Sequence, residues 1–171
     1  MPDITLINDN DEVLGYREKY SAHMNPVHLH RAISVVIINP VTNKMLLQCR
    51  GKDKPTWPLY WSNACCTHPF PDESYKAAAE RRLTEEMGFS TSLDEIFRFS
   101  YSAEYDETWG ENELDVVFMG QYAGNVSPDP TEVDVYKWLD QEELAQAINK
   151  GMKITPWFEI ILKRMKWLNL S

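Results

Sequence analysis

The sequence of 171 residues lacks several features that define whole classes of protein. Its apolar runs, such as SVVII at 34–38, are far too short to span a membrane, so we expect no membrane partner. The opening segment MPDITLINDN has neither a basic region nor an apolar core, and we expect no secretory signal. Only three cysteines are present, and this odd number favours reduced thiols in the cytoplasm over a disulfide scaffold.

Basic residues are scarce as well. There are 17 of them against 26 acidic residues, which gives a net charge of −9. A nucleic-acid-binding protein needs a basic face, so we expect no nucleic-acid partner. Against this acidic background, the segment CRGKDK at 49–54 places Arg50, Lys52 and Lys54 at alternate positions. It is either a solvated loop or a small clamp for a phosphorylated ligand.

The order of apolar patterns predicts a mixed α/β fold. No repeat, low-complexity tract or linker divides the chain, so we expect one domain over residues 1–171 and no obligate protein partner. Segments of strand type lie at 3–8, 12–18, 28–39, 44–50, 96–105, 111–124 and 135–140. Helical patterns lie at 74–88, where Asp72 or Ser74 can cap the start, at 140–149 with Asp140 as the cap, and at 156–168. Strands before, between and after the helices, without a regular βαβ rhythm, predict a mixed sheet flanked by helices, an α/β (α+β) class.

Histidines and paired carboxylates form the first candidate site. All four histidines fall in the first 68 residues: His23, His28, His30 and His68. The segment ENE offers Glu111 and Glu113 two residues apart, on one face of a strand. Imidazole nitrogens and carboxylates together suit a divalent cation such as Mg²⁺, Mn²⁺ or Zn²⁺. The spacing alone is equally compatible with ordinary polar residues of the surface and core.

The second candidate is the segment YWSNACCTHPFPDES at 60–74, followed by a helix. Its Cys-x-His unit fits a metal site, an acid/base pair or a buried turn. The helix then gives the pattern E-x7-R-x3-EE-x-G, from Glu73 to Gly88. This is either a salt-bridged surface helix or a set of carboxylates facing a phosphate-bound Mg²⁺.

That helix pattern resembles the Nudix box, with two departures. Thr67 stands at the opening glycine, and Arg82 stands where Nudix hydrolases have a metal-holding glutamate. The segments that fit a narrower family are EKYSAH, HLH, WSNACCTHP, ERRLTEEMG, ENE and TPW, in this order over nearly the whole chain. Together they resemble the type I isopentenyl-diphosphate isomerases, Nudix-fold enzymes of isoprenoid biosynthesis without hydrolase activity. The resemblance implies a Nudix-like sheet with an N-terminal extension.

The resemblance also implies roles for individual residues. Cys66 and Glu113 correspond to the pair that adds and removes protons as the double bond moves through a carbocation-like state. Tyr101 corresponds to a tyrosine bonded to the carboxylate, and Trp157 to an aromatic ring that stabilises the cation. Trp157 and Tyr101 also fit ordinary core positions. Cys65 points away from Cys66 on an extended segment and has no implied role.

Two metal sites and a small-molecule diphosphate substrate are implied. The first site, for Mg²⁺, Mn²⁺ or Zn²⁺, uses His23, His30, His68, Glu111 and Glu113, whereas His28 has no counterpart. A Mg²⁺ that arrives with the substrate would use Glu86, and the basic residues expected at the diphosphate are Lys19, Arg50, Lys54 and Arg82. The alternatives are a Nudix hydrolase, which Arg82 disfavours, and a non-catalytic binding protein, which the Cys66–Glu113 pair disfavours.

Overall fold

The fold is described from a computed structural model, which covers residues 3–168. The strands are β1 Asp3–Ile7, β2 Val13–Glu18, β3 His30–Ile38, β4 Met45–Arg50, β5 Trp61–Ser62, β6 Cys65–Thr67, β7 Asp94–Glu104, β8 Gly110–Gln121 and β9 Val133–Leu139. The helices are α1 Lys19–His23, α2 Tyr75–Met87, α3 Gln141–Asn149 and α4 Pro156–Arg164. No helix within 3–168 is long and apolar enough to cross a membrane.

Strand β3 lies at the centre of the mixed sheet. It pairs in parallel with β8 along its whole length and antiparallel with β1, β4 and β6. Its residues are almost all buried because α2 covers one face and α3 and α4 cover the other. The apolar run at 35–38 therefore reflects a strand buried on both faces. The mixed α/β class predicted from the sequence is confirmed.

Helix α2 has the boundaries that its sequence predicts. The Ser74 side chain accepts a hydrogen bond from the Ala77 amide, and Gly88 ends the helix with a φ of 76°. A Cβ at Gly88 would lie 2.4 Å from the carbonyl oxygen of Ser127, so only glycine fits there. The Arg81 guanidinium donates two hydrogen bonds of 2.7 and 2.9 Å to the Glu73 carboxylate, which fixes the segment before the helix against its middle turn.

The ends of two predicted elements differ from the structure by three residues or more, and helix α1 and the short strands β5 and β6 were not predicted. Helix α4 ends at Arg164 rather than at 168, and Lys166 has a φ of 54°, outside the helical region. Strand β8 ends at Gln121 rather than at 124. Helix α1 was not predicted, because its five residues give too short a pattern; Glu18 caps it by accepting from the amides of Tyr20 and Ser21.

Candidate active site

A cavity of 410 Å³ opens at the ends of β3 and β8. One end holds histidines and carboxylates, and we call it the metal end: His23, His30, His68, Glu111 and Glu113. The other end holds basic side chains, and we call it the cation end: Lys19, Arg50, Lys54 and Arg82. Cys66, Tyr101 and Trp157 also line the cavity.

The metal end is assembled from four separate elements. His23 is the last residue of α1, while His68 follows β6 directly. His30 lies opposite Glu113 in the parallel β3–β8 pair. Glu111 and Glu113 are two residues apart on β8 and share one face. The five predicted ligands are all buried, and one donor atom from each lies within 4.8 Å of the others.

The donor atoms have the orientation that a cation requires. The Nδ1 atoms of His23 and His30 bond the carbonyls of Lys19 and His28 at 2.6 and 2.7 Å, which leaves both Nε2 atoms facing the carboxylates. Glu111 Oε2 lies 3.0 Å from His23 Nε2 and His30 Nε2 lies 3.5 Å from Glu113 Oε1, but neither buried atom makes a well-oriented hydrogen bond within 3–168. Buried polar atoms rarely stay unpaired, so the residues fit a divalent cation. His28 instead contacts Arg17 and lies outside this group.

The pKa values of the two glutamates at the metal end are shifted in opposite directions. Burial raises the pKa of Glu111, and the negative charge of Glu113 raises it further. Burial also acts against ionisation of Glu113, but the imidazoles of His30 and His68 hold its pKa well below the usual range. Without a cation, the pair therefore favours one ionised carboxylate rather than two.

The adjacent cysteines point to opposite faces of β6. Cys65 is fully buried in the apolar layer against α2, whereas Cys66 is partly exposed in the cavity. Burial raises the pKa of the Cys66 thiol to about 12, although the nearby Arg50 lowers it. Cys66 therefore carries a proton at neutral pH. The placement of Cys65 and Cys66 on opposite faces of β6 is the one that an extended segment predicts.

Tyr101 connects strand β7 to the metal end. Its hydroxyl donates a hydrogen bond of 2.7 Å to Glu113 Oε2. Burial, followed by the charge of Glu113, raises the pKa of Tyr101 well above its usual range, so the hydroxyl remains a donor. Its ring lies 6.4 Å from that of Trp157, between centroids.

A buried polar network fixes Trp157 relative to the cysteine segment. The Trp157 indole donates to Ser62 Oγ at 3.0 Å, and the hydroxyls of Ser62 and Thr155 lie 2.9 Å apart. Ser62 donates to Asn63 Oδ1, and Asn63 in turn donates to the carbonyl of Cys65 at 2.8 Å. The ring is both a core residue and a wall of the cavity.

The cation end combines two helices, a strand end and a loop. Lys19 begins α1, Arg50 ends β4, Lys54 lies in the following loop, and Arg82 lies on α2. The Arg50 guanidinium donates to the carbonyls of Thr56 and Trp57, lies 4.0 Å from Cys66 Sγ, and lies 5.2 Å from the Trp157 ring centroid. The four predicted basic residues thus face one space, and Lys52 is exposed outside it.

The comparisons with known proteins agree on a family. A NUDIX domain model matches residues 28–158. The chain is 35% identical to isopentenyl-diphosphate Delta-isomerase 1 of Bos taurus, over 91% of this chain and 78% of the relative. It is 38% identical to isopentenyl-diphosphate Delta-isomerase 1 of Aromatoleum aromaticum, over 95% of this chain and 91% of the relative.

The chain belongs to the isopentenyl-diphosphate isomerase family of Nudix proteins. Its fold is also that of DR0079 from Deinococcus radiodurans, with a TM-score of 0.78, 17% identity, and coverage of 95% of this chain and 98% of the other. The match to the NUDIX model begins at residue 28, so β1, β2 and α1 form the expected N-terminal extension.

Arg82 marks the departure of this isomerase-family chain from the hydrolase pattern. Its Nε donates to Glu86 Oε1 at 2.6 Å, and Gln48 donates to Glu86 Oε2 at 2.7 Å. Glu86 is buried beside the cation end and is not part of the His/Glu group. The residue predicted for a substrate-bound Mg²⁺ therefore lies apart from the five residues of the metal end.

Sequence reasoning missed several polar residues of the site. Ser62 and Asn63 lie in a motif that the family resemblance included, but only the fold shows that they bond Trp157 and the Cys65 carbonyl. Asp115 is fully buried and bonds Ser34 at 2.7 Å; its position two residues after Glu113 was an available signal. No local sequence pattern indicated a role for Glu132, because its partners Lys54 and Arg82 are far away in the sequence.

Proposed function

We propose that the protein interconverts isopentenyl diphosphate and dimethylallyl diphosphate, the isomerisation that supplies isoprenoid biosynthesis. The observation that carries the proposal is the cavity itself, which Cys66 and Glu113 line together with four basic side chains. Family membership supports the same reaction, since the Bos taurus and Aromatoleum aromaticum relatives are named for it.

Cys66 and Glu113 are the two proton carriers in this proposal. Moving the double bond adds a proton to the terminal carbon of the alkene and removes one from the saturated carbon bonded to the other alkene carbon, so no proton is consumed overall. An unactivated alkene is a poor base, and the reaction needs a positioned acid and a positioned base. Tyr101 holds the Glu113 carboxylate by donating to it. The Trp157 ring faces the cavity and stabilises positive charge that develops on the carbon skeleton.

The cation end holds the diphosphate. Lys19, Arg50, Lys54 and Arg82 supply ammonium and guanidinium donors, which bind phosphate oxygens through charge-assisted hydrogen bonds. Glu86 is the proposed ligand of a Mg²⁺ that arrives with the substrate. Arg82 replaces a hydrolase carboxylate with a cation, which favours holding the diphosphate over cleaving it.

The metal end holds a divalent cation, for which we propose Mg²⁺, Mn²⁺ or Zn²⁺. His23, His30, His68, Glu111 and Glu113 would bind it. When bound, the cation neutralises the two buried carboxylates and fixes their positions. Three imidazoles and two carboxylates do not by themselves select one of the three metals.

Solvent isotope incorporation tests the reaction directly. In D₂O, the protein should convert isopentenyl diphosphate to dimethylallyl diphosphate and place deuterium in both isomers, because the proton transfers are reversible. Release of orthophosphate or monophosphate would instead favour a Nudix hydrolase. Absence of turnover with both Mg²⁺ and Mn²⁺ present would favour a binding protein.

A cytoplasmic location is also proposed. Cys49, Cys65 and Cys66 are free thiols, which fits a reducing compartment. Expression of the tagged full-length protein in its source cell, followed by fractionation, tests this location.

A further inference from the structure

One carboxylate lies among the basic residues of the cation end. Glu132 belongs to the segment between β8 and β9, and its Oε2 accepts from Lys54 Nζ and from Arg82 Nη2, the latter at 2.7 Å. Its side chain is 27% exposed and lines the cavity. An anion at this place needs an explanation, because the proposed ligand of the cation end is itself an anion.

The backbone of Glu132 is tied to the same two elements as its side chain. Its carbonyl accepts a hydrogen bond of 3.0 Å from the Gly51 amide, at the start of the loop that carries Lys54. Its amide donates to the carbonyl of Asp129, whose own amide donates to the carbonyl of Glu86 on α2. A Cβ at Gly51 would lie 3.1 Å from the Glu132 carbonyl oxygen, a close approach that glycine permits.

The Glu132 carboxylate is ionised at neutral pH. Burial acts against ionisation, but the bond with Lys54 and the charges of Lys54 and Arg82 lower the pKa of Glu132 to about 2. The basic residues repel one another, and the pKa of Lys19 is lowered by burial first and then by the charges of Lys54 and Arg82. An ionised carboxylate between Lys54 and Arg82 reduces that repulsion.

Lys54 and Arg82 still have free N–H donors for a ligand while they are bonded to Glu132. A lysine ammonium has three N–H donors and an arginine guanidinium has five. The bond to Glu132 uses one donor of Lys54. Arg82 has two further carboxylate partners, Glu85 at 3.3 Å and Glu86 at 2.6 Å, and Glu86 is also the proposed Mg²⁺ ligand. If Glu86 bound Mg²⁺, Glu85 and Glu132 would remain as partners of Arg82, and of these two only Glu132 also contacts Lys54.

We propose that Glu132 is a positioning residue, which holds Lys54 and Arg82 at the spacing that a diphosphate requires. The inference rests on the proposed function, since it takes the cation end to be the diphosphate site. Glu132 acts through the two cations and makes no contact with the reacting carbons. The contrary possibility is that Glu132 competes with the diphosphate, and the two differ in the sign of their effect on binding.

The test measures binding of inorganic pyrophosphate with Mg²⁺ by calorimetry, which does not depend on isomerisation. Glu132→Gln keeps the size of the side chain but loses its charge, and we expect the Kd to rise about tenfold. Glu85→Gln is the matched control, because Glu85 contacts Arg82 at 3.3 Å but is not a partner of Lys54; it should change the Kd less than about twofold.

A double-mutant cycle shows whether Glu132 acts through Lys54. In a Lys54→Met background, Glu132→Gln should have a clearly smaller effect than in the wild type, because the pair is already broken. With isopentenyl diphosphate as substrate, Glu132→Gln should raise KM and leave kcat within about twofold. A purely structural loss would instead lower the unfolding midpoint of the variant and kcat together.

The outcomes separate this inference from the function on which it rests. Unchanged or tighter pyrophosphate binding by Glu132→Gln overturns the positioning role, as does an undiminished effect in the Lys54→Met background. If the wild-type protein binds no pyrophosphate, the diphosphate site itself is wrong and the inference fails with it. Weaker binding by Glu132→Gln alone, with Glu85→Gln unaffected, supports the role.

Discussion

The two ends of the cavity are built in different ways. Most of the metal end is carried by strands, and the hydrogen-bonded register of β3 and β8 sets His30 opposite Glu113. The cation end is carried by two helices, a strand end and a loop, and ion pairs hold Lys54 and Arg82 in place. Positions fixed by register change little, whereas ion pairs depend on pH, salt and ligand. Substitutions at the two ends should therefore affect different kinetic constants.

The largest effect is expected at Cys66, between the two ends. Cys66→Ala removes a proton carrier and leaves only a small gap, so kcat should fall by about 10²–10⁴ with the fold retained. Steady-state kinetics and a thermal melt measure both. Cys65→Ala is the control, because Cys65 is buried on the other face of β6 and should matter far less. Equal losses in the two variants would show that the wrong thiol was chosen.

Removing the metal should disable the metal end. Chelation leaves two buried glutamates close together, so we expect activity to disappear and the melting temperature to drop, with both restored by adding Mn²⁺, Zn²⁺ or Mg²⁺. The drop in melting temperature reports on the metal end, because it is measured without any diphosphate. Full activity in protein shown by elemental analysis to be metal-free would contradict the five-residue site.

Substituting a basic residue of the cation end should raise KM. Lys54→Met removes one ammonium from the cavity, and we expect KM for the diphosphate to rise about tenfold with kcat nearly unchanged. Lys52→Met is a matched control two residues away, since Lys52 is exposed and does not line the cavity. Similar KM values for the two variants would remove Lys54 from the proposed diphosphate site.

The network around Trp157 should have a smaller effect, in kcat. Ser62→Ala leaves the buried indole N–H without its acceptor, which costs about 1–3 kcal/mol of stability. The ring loses its fixed position, so kcat should fall several-fold while KM changes little. Ser62→Thr keeps the hydroxyl and should retain most of the activity. A rise in KM alone would place Trp157 with the diphosphate rather than with the alkene.

The smallest expected effect is the acid dependence of the Glu132 ion pairs. The folded-state pKa of Glu132 is about 2, below the ordinary value of 4.5, so its contribution is present above pH 4.5 and is lost as pH falls toward 2. For a half-exposed pair this amounts to about 1 kcal/mol or less. Urea unfolding of wild type and Glu132→Gln at about pH 7 and pH 3.5 should show the difference shrinking in acid. A constant difference would contradict this account.

Features with local sequence signals could be predicted, whereas features that depend on long-range contacts could not. Helix α2 was predicted at both ends because Ser74 and Gly88 are local signals. Helix α4 was extended too far because the apolar pattern continues to Leu168 after the helix stops at Arg164. The five residues proposed as metal ligands were predicted through motifs that a family shares. Glu132 and the hydrogen bonds of Ser62 and Asn63 were not predicted, because they depend on contacts between segments that are distant in the chain.

The parallel pairing of β3 with β8 has a consequence for how the chain matures. Parallel strands this far apart in sequence pair slowly, because a long loop must close before any bond between them forms. His30 and Glu113 meet through that pairing, so the proposed metal site would exist only in the finished sheet and not in the unfolded chain. During refolding, metal uptake should therefore follow β3–β8 pairing and serve as a late marker that the sheet has closed.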